Sequence, residues 1–386
     1  GKVSNVARLA SCIVLMYIAP LSAATLDNWQ FISDEMVIRI AERSLAIEGE
    51  RPRGKTIAER GNANSPESRK RIEDVQQFLL SVGGENWYRN WATKFAPPRS
   101  VEERVYANLT GNTDGKLGYY YIRPAPVSRH SMTVLSCEGD RLKDSPTMKA
   151  FCALGMWNAA KAFNDPEALT KFRELANWFL STQVDGKWLW QISVPSRELE
   201  PPWISCLSQS LGISVLLREY QLEGNAKFLD AASRALEVMG RTLSQGGCSH
   251  RMRVGVWYEE YPNQKKPSHV LNGHMWALFG IWDYFRVTKD VTAKRMFEDG
   301  MLALTKELPK YDLGYWSVYS QDNRVDMVGG NYQAFIIEQL KVLQAITSNP
   351  SLSSYINRWE IPLHDGGGFV ELAAREFLKS RQGQSK

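Results

Sequence analysis

Apolar positions at helical spacing run in paired stretches from Pro146 to about Leu343, and breakers divide them into four successive pairs. The first pair covers Pro146–Phe163 and Pro166–Thr182, with Asp165-Pro166 as stop and restart, because proline fits the first turn of a helix but not its interior. The second covers Trp203–Tyr220, where Ile204, Leu207, Leu211 and Val215 share one face, and then Asn225–Gly240. The third covers Val270–Arg286 and Val291–Leu308. The fourth opens near Tyr332, ahead of apolar Phe335, Ile336, Leu340 and Leu343, and ends in a more polar tail. Helix pairs recurring at intervals of roughly sixty residues form a repeat of supersecondary units, not of sequence. They predict a mainly α chain, an (α/α) toroid or incomplete (α/α) barrel, whose inter-pair loops gather at one end and build a cleft.

Residues 25–135 show a different pattern: a polar helical extension with a charged stretch at Glu48–Arg69, docked by Trp87, Tyr88 and Trp91. The turn-rich Asn112-Thr113-Asp114-Gly115 then leads into Tyr119-Tyr120-Tyr121-Ile122, a small β-hairpin region. Residues 1–24 combine basic Lys2 and Arg8, an apolar run from Ile13 to Ile18 and the small-residue exit Ser22-Ala23-Ala24, which predicts a secretory signal and an exported, periplasmic or secreted chain. No other stretch is long and apolar enough to span a bilayer. The expected divisions are thus a signal (1–24), an extension (25–135), the helical domain (136–362) and a C-terminal tail (363–386).

Charge narrows the partners. Residues 1–24 contain no Asp or Glu, so removing Lys2 and Arg8 takes the formal net charge from +5 to +3. That excess is too small for nonspecific nucleic-acid binding. It suits an acidic polymer if the cations are local, and Arg251, Arg253, Lys265 and Lys266 flank the most distinctive motif of the chain, although such charges equally form solvated faces. The 13 Trp, 15 Tyr and 14 Phe fit either stacking on sugar rings or plain helical packing. Cys137, Cys152, Cys206 and Cys248 lack the close pairing of a zinc site. Export permits disulfides, but Cys152 and Cys206 sit in apolar helical patterns where a buried thiol is the commoner role. His250, His269 and His274 show no helical ligand spacing and read as hydrogen-bonding or groove residues; no metal and no cofactor is expected.

The motif is Trp257-Tyr258-Glu259-Glu260-Tyr261-Pro262. It sets two carboxylates among aromatics where a proline prevents a regular helix, and it places a base beside a phenol, as proton transfer at a weakly acidic carbon requires. Taken singly, Trp257 and Tyr258 fit a core and Glu259 a solvated face.

Four segments in order, Pro201-Pro202-Trp203-Ile204-Ser205 with Gln209-Ser210-Leu211-Gly212-Ile213-Ser214, then the acidic motif, then Val270-Leu271-Asn272-Gly273, and finally Tyr319 and Tyr332 ahead of Glu338-Gln339-Leu340, resemble the C-terminal catalytic domain of the D-glucuronyl C5-epimerases. The resemblance covers about Ser145 to Trp359. It implies inversion of carbon 5 of D-glucuronate units to L-iduronate within an acidic, uronate-containing polysaccharide such as heparosan. Glu260 matches the acidic catalytic residue, Tyr261 the neighbouring phenol, Tyr319 a cleft tyrosine, and Tyr332 the tyrosine across the sugar; Asn272 matches a residue near the substrate carboxylate. Trp203, Gln209, Tyr258 and Arg253 complete the expected groove. The family's Arg three positions after Tyr319 is here Asp322, which leaves Arg324 as the nearest candidate for the carboxylate, and Gln333 stands where a His often follows the distal tyrosine. Alternatives are a polysaccharide lyase, a glycoside hydrolase with Asp312 as a distant second carboxylate, and a polysaccharide-binding protein; a homodimer stays open.

Overall fold

The computed structural model describes residues 115–122, 137, 145–312, 317–322, 328 and 330–364. The signal, most of the extension with Trp87, Tyr88 and Trp91, Arg324 and the C-terminal tail lie outside these residues. Eight helices occur among them: α1 (Pro146–Phe163), α2 (Pro166–Thr182), α3 (Cys206–Glu223), α4 (Ala226–Gly240), α5 (Leu271–Thr288), α6 (Val291–Glu307), α7 (Gly330–Thr347) and α8 (Ser353–His364). Two short strands, β1 (Ser249–Arg251) and β2 (Val256–Tyr258), pair antiparallel with Ser249 opposite Tyr258.

Local chemistry sets the boundaries. Ser145 accepts a hydrogen bond from the Met148 N–H, Asp165 from Glu167 and Ala168, Asn225 from Lys227 and Asp290 from Thr292. Each such cap stabilises its helix by about 1 kcal/mol, and Pro146 and Pro166 occupy first-turn positions. Both helices of the first pair therefore have the bounds expected from the sequence. The second pair differs: its first helix starts at Cys206, not Trp203, because Trp203 exchanges both backbone hydrogen bonds with Trp190 and so stays extended.

Each even-numbered helix packs on the odd-numbered one before it, and α1–α3, α3–α5 and α5–α7 pack side by side, giving an (α/α) arc with an inner and an outer layer. Burial follows that layout. The outer helix α4 buries one stripe, Phe228, Ala231, Ala232, Ala235, Leu236, Val238 and Met239, whereas α3 is buried all round from Cys206 to Glu219 instead of on one face. α3 and α5 approach closely at Gly280, where a Cβ would lie 2.2 Å from the Ser210 hydroxyl oxygen that accepts from the Gly280 N–H.

The cysteines depart from the buried-thiol expectation: Cys137 bonds Cys152, and Cys206 bonds Cys248 across 42 positions. Their partners come from a short turn and from the approach to β1, neither of which helical spacing reveals. Segment 115–122 fills one end of the inner layer. There Arg218 and Asp283, both fully buried, pair at 2.7 Å, and Asp283 also accepts from Ser214 and the Tyr121 hydroxyl. No helix among the described residues is long and apolar enough to cross a membrane.

Candidate active site

The acidic motif begins within β2 and leaves it at Glu259 through a bend at Glu260 and Tyr261, which sends the two carboxylates to different neighbours. Two backbone hydrogen bonds anchor it at Glu259, whose N–H donates to Cys248 at 2.8 Å and whose carbonyl accepts from Cys206 at 2.9 Å. The Cys206–Cys248 disulfide thus ties the N-terminus of α3 to the chain just before β1 at the same level. Glu259 is fully buried, not solvated, and its carboxylate accepts from the His269 N–H and the Ser268 hydroxyl.

Glu260 turns the other way, against the first turn of α5. A Cβ on Gly273 would lie 2.5 Å from Glu260 Oε2 and 2.7 Å from its Cβ, so only glycine leaves room for that carboxylate. Burial pushes the Glu260 carboxyl up to about 7, while the Tyr261 phenol and the Arg197 guanidinium pull in the opposite direction. Its Oε2 has no hydrogen-bond partner among the described residues.

Three tyrosines surround this carboxylate. The Glu260 charge and burial raise the Tyr261 phenol, and burial followed by the Glu260 charge raises Tyr319 and Tyr332. The Tyr319 and Tyr332 rings meet edge to face with centroids 6.1 Å apart. Tyr332 lies in the first turn of α7 and is 46% exposed, an unusual state for a large aromatic ring next to buried Ile336 and Leu340. Of the tyrosines before α7, Tyr311 is buried, stacked on Trp257 and donating to the His269 carbonyl, while Tyr319 is only partly buried and Tyr315 lies outside the described residues.

Arg197 had no marker in the sequence, yet it is central here. Its guanidinium carbon sits 5.4 Å from the Tyr261 ring centroid and 5.6 Å from that of Tyr319. Asp322, which also accepts from the Ser320 hydroxyl, forms an ion pair with it. Because 125 positions separate the two partners, no local pattern could have announced the pair. Trp203 stacks on Trp190 at 5.0 Å and tilts against Tyr261 at 5.8 Å, extending the aromatic wall. Asn272 lies in the first turn of α5, where Gln339 donates to its carbonyl and its own amide nitrogen has no partner among the described residues.

Four expected roles change. Tyr258 is buried, with its hydroxyl donated to the Met296 carbonyl and its ring stacked on His274, so it belongs to the core. Gln209 is fully buried and bonds the Trp188 N–H and the Gly186 carbonyl, which makes it a brace for the 186–188 loop and not a groove residue. Arg253 stands exposed in the β1–β2 turn, with the length of β2 between it and the acidic pair. Asp312 accepts from Arg358 and Trp359 and holds α8, so it is spoken for as a hydrolytic second carboxylate.

Residues 183–361 match the model of the D-glucuronyl C5-epimerase C-terminus. The chain is 29% identical over 210 residues to a D-glucuronyl C5-epimerase of Caenorhabditis elegans, covering 49% of this chain and 34% of that protein. It is 26% identical over 136 residues to an uncharacterized protein of Methanocaldococcus jannaschii, covering 34% of this chain and 44% of that one. The chain therefore spans less than half the length of either relative. Among solved structures, the GH76 α-mannanase of Bacteroides thetaiotaomicron aligns with a TM-score of 0.40 at 12% identity, over 90% of this chain and 96% of the other. An unsaturated glucuronyl hydrolase of Streptococcus agalactiae aligns with a TM-score of 0.36 at 11% identity, over 93% and 96% respectively. The family match thus falls on residues 183–361, the segment that contains the acidic motif.

Proposed function

We propose that the chain inverts carbon 5 of D-glucuronate units in an acidic polysaccharide, yielding L-iduronate by removing a proton from one face and returning one to the other. The observation that carries this reading is a buried Glu260 carboxylate grouped with Tyr261, Tyr319 and an exposed Tyr332 that comes from the first turn of α7. A hydrogen next to a sugar carboxylate is a very weak acid, so abstraction needs a base, a proton donor opposite it, and groups that stabilise the enediolate formed between. Glu260 supplies one proton-transfer group and Tyr332 the other. Arg197, over Tyr261 and Tyr319, favours negative charge on those phenols and on the uronate carboxylate, the part expected of Arg324. The Trp190–Trp203 stack offers a face for a neighbouring sugar. Two disulfides support an oxidising compartment, in keeping with export.

The test is proton NMR of heparosan and related uronate polymers after incubation with the protein in deuterium oxide. Deuterium at carbon 5 in a polymer of unchanged length supports epimerisation. An unsaturated product absorbing in the near ultraviolet would instead identify a lyase, which starts with the same abstraction and then expels the 4-linked sugar. New reducing ends would identify hydrolysis, and an unlabelled polymer would remove the proposal.

A further inference from the structure

A second constellation lies behind the acidic motif, on the face of the chain that Glu260 does not use. Glu259, fully buried, points toward His269 and His250, and the ligand atoms of the three side chains lie within 4.8 Å of one another. His269 Nε2 is 3.4 Å from Glu259 Oε1 and 2.6 Å from His250 Nδ1. The geometry points to a divalent transition-metal site of the zinc type, with two imidazole nitrogens and one carboxylate oxygen as protein ligands.

The donor set is the first reason. Two imidazoles with a carboxylate is a set that zinc and its first-row neighbours bind, and a site of three protein ligands leaves a position for water. The free valences agree with this. Glu259 Oε2 accepts from the Ser268 hydroxyl and the His269 N–H, and Oε1, the oxygen 3.4 Å from His269 Nε2, accepts from the His269 N–H at 3.1 Å, which leaves it acceptor capacity for a further partner. Burial disfavours the charged form of this carboxyl, and a cation beside it would offset that cost, which neutral imidazoles do not.

The surroundings orient the ligands. His269 has φ of 49°, a left-handed conformation uncommon outside glycine, held by its N–H on Glu259 and by the Tyr311 hydroxyl on its carbonyl. His250 arrives from β1, Glu259 follows β2, and His269 precedes α5, so an ion here clamps three segments together. Zinc–nitrogen bonds of about 2.05 Å at a tetrahedral angle place two ligand nitrogens about 3.3 Å apart, so loading opens the His250–His269 contact by about 0.7 Å and replaces its hydrogen bond. The ion is a positioning element, one residue removed from Glu260, and the site is independent of which reaction Glu260 performs.

The experiment uses untagged full-length protein, stripped with a chelator and then titrated with zinc. One equivalent should bind, raising the midpoint of thermal unfolding, and cobalt in its place should give visible d–d absorption of a site with nitrogen ligands. His250→Ala, a change at a half-buried strand residue, should weaken zinc binding at least tenfold and abolish the thermal shift. Should that variant fail to fold, imidazole resonances of the wild-type protein decide: two histidines must shift on adding one equivalent of zinc. No stoichiometric binding, equal affinity in His250→Ala, or histidine resonances that do not move would each overturn the site.

Discussion

Replacing Glu260 by Gln or Tyr332 by Phe preserves shape and removes one of the two proposed proton-transfer groups. Each is expected to lower turnover by about two orders of magnitude or more while changing the half-saturation concentration little, as for general acid–base groups. Steady-state kinetics on a uronate polymer measures this, and near-wild-type turnover in either variant removes that residue from the chemistry. Arg197→Ala should act differently, because a lost charge-assisted contact to the substrate carboxylate is worth about 1.5–3 kcal/mol. The half-saturation concentration should rise about tenfold or more, with the smaller effect on turnover, and an unchanged value would discard Arg197 as the anchor. That Glu260, Tyr261, Tyr319 and Tyr332 come together in one cluster was legible in the sequence because their motifs are dense and ordered. It misassigned Tyr258 and Gln209, since a motif records which residues are needed and not whether they touch substrate or brace those that do. Arg197 escaped notice because what defines it is Asp322, brought near only by folding.

At the level of elements, the meeting of the acidic segment with the first turn of α5 is the decisive contact. Gly273→Ala should favour α5 as a helix by roughly 1 kcal/mol on propensity alone. The added methyl would occupy the space of the Glu260 carboxylate, 2.5 Å from Oε2, and push it out of line. The expected outcome is a drop in turnover of at least about tenfold with unchanged helical circular dichroism, since a displacement of about 1 Å at a reacting group costs about that much or more. Retained turnover would show that the carboxylate has slack at this contact. The first seven helices were readable to within a few residues because Pro, Asp and Asn mark several of their starts, whereas α8 was read as part of a polar tail. The β1–β2 hairpin was not, because strands of three residues contain too little alternation to detect, and the second disulfide that depends on it was hidden with it.

Across the described residues, the inner helices hold the candidate site at one end and a buried ion-pair network at the other. The N-termini of α3, α5 and α7 meet the acidic motif, Tyr319 and Tyr332, so their positive dipole ends face the region where an acidic polymer is expected. At the far end, Arg218, Asp283, Ser214 and Tyr121 bind α3, α5 and segment 115–122 into one buried network. Ten positions of α5 separate Asp283 from Gly273, about 15 Å at 1.5 Å per residue. Removing one partner of a buried ion pair leaves the other charge uncompensated and typically costs about 3–5 kcal/mol. Asp283→Ala should therefore lower stability by about that amount in urea unfolding, while the folded fraction at low temperature turns over substrate within about twofold of wild type. A matching loss of turnover in the folded protein would mean that the two ends are coupled through the inner helices. Full stability without Asp283 would mean that the network is dispensable and that the arc is held by apolar packing and the two disulfides alone.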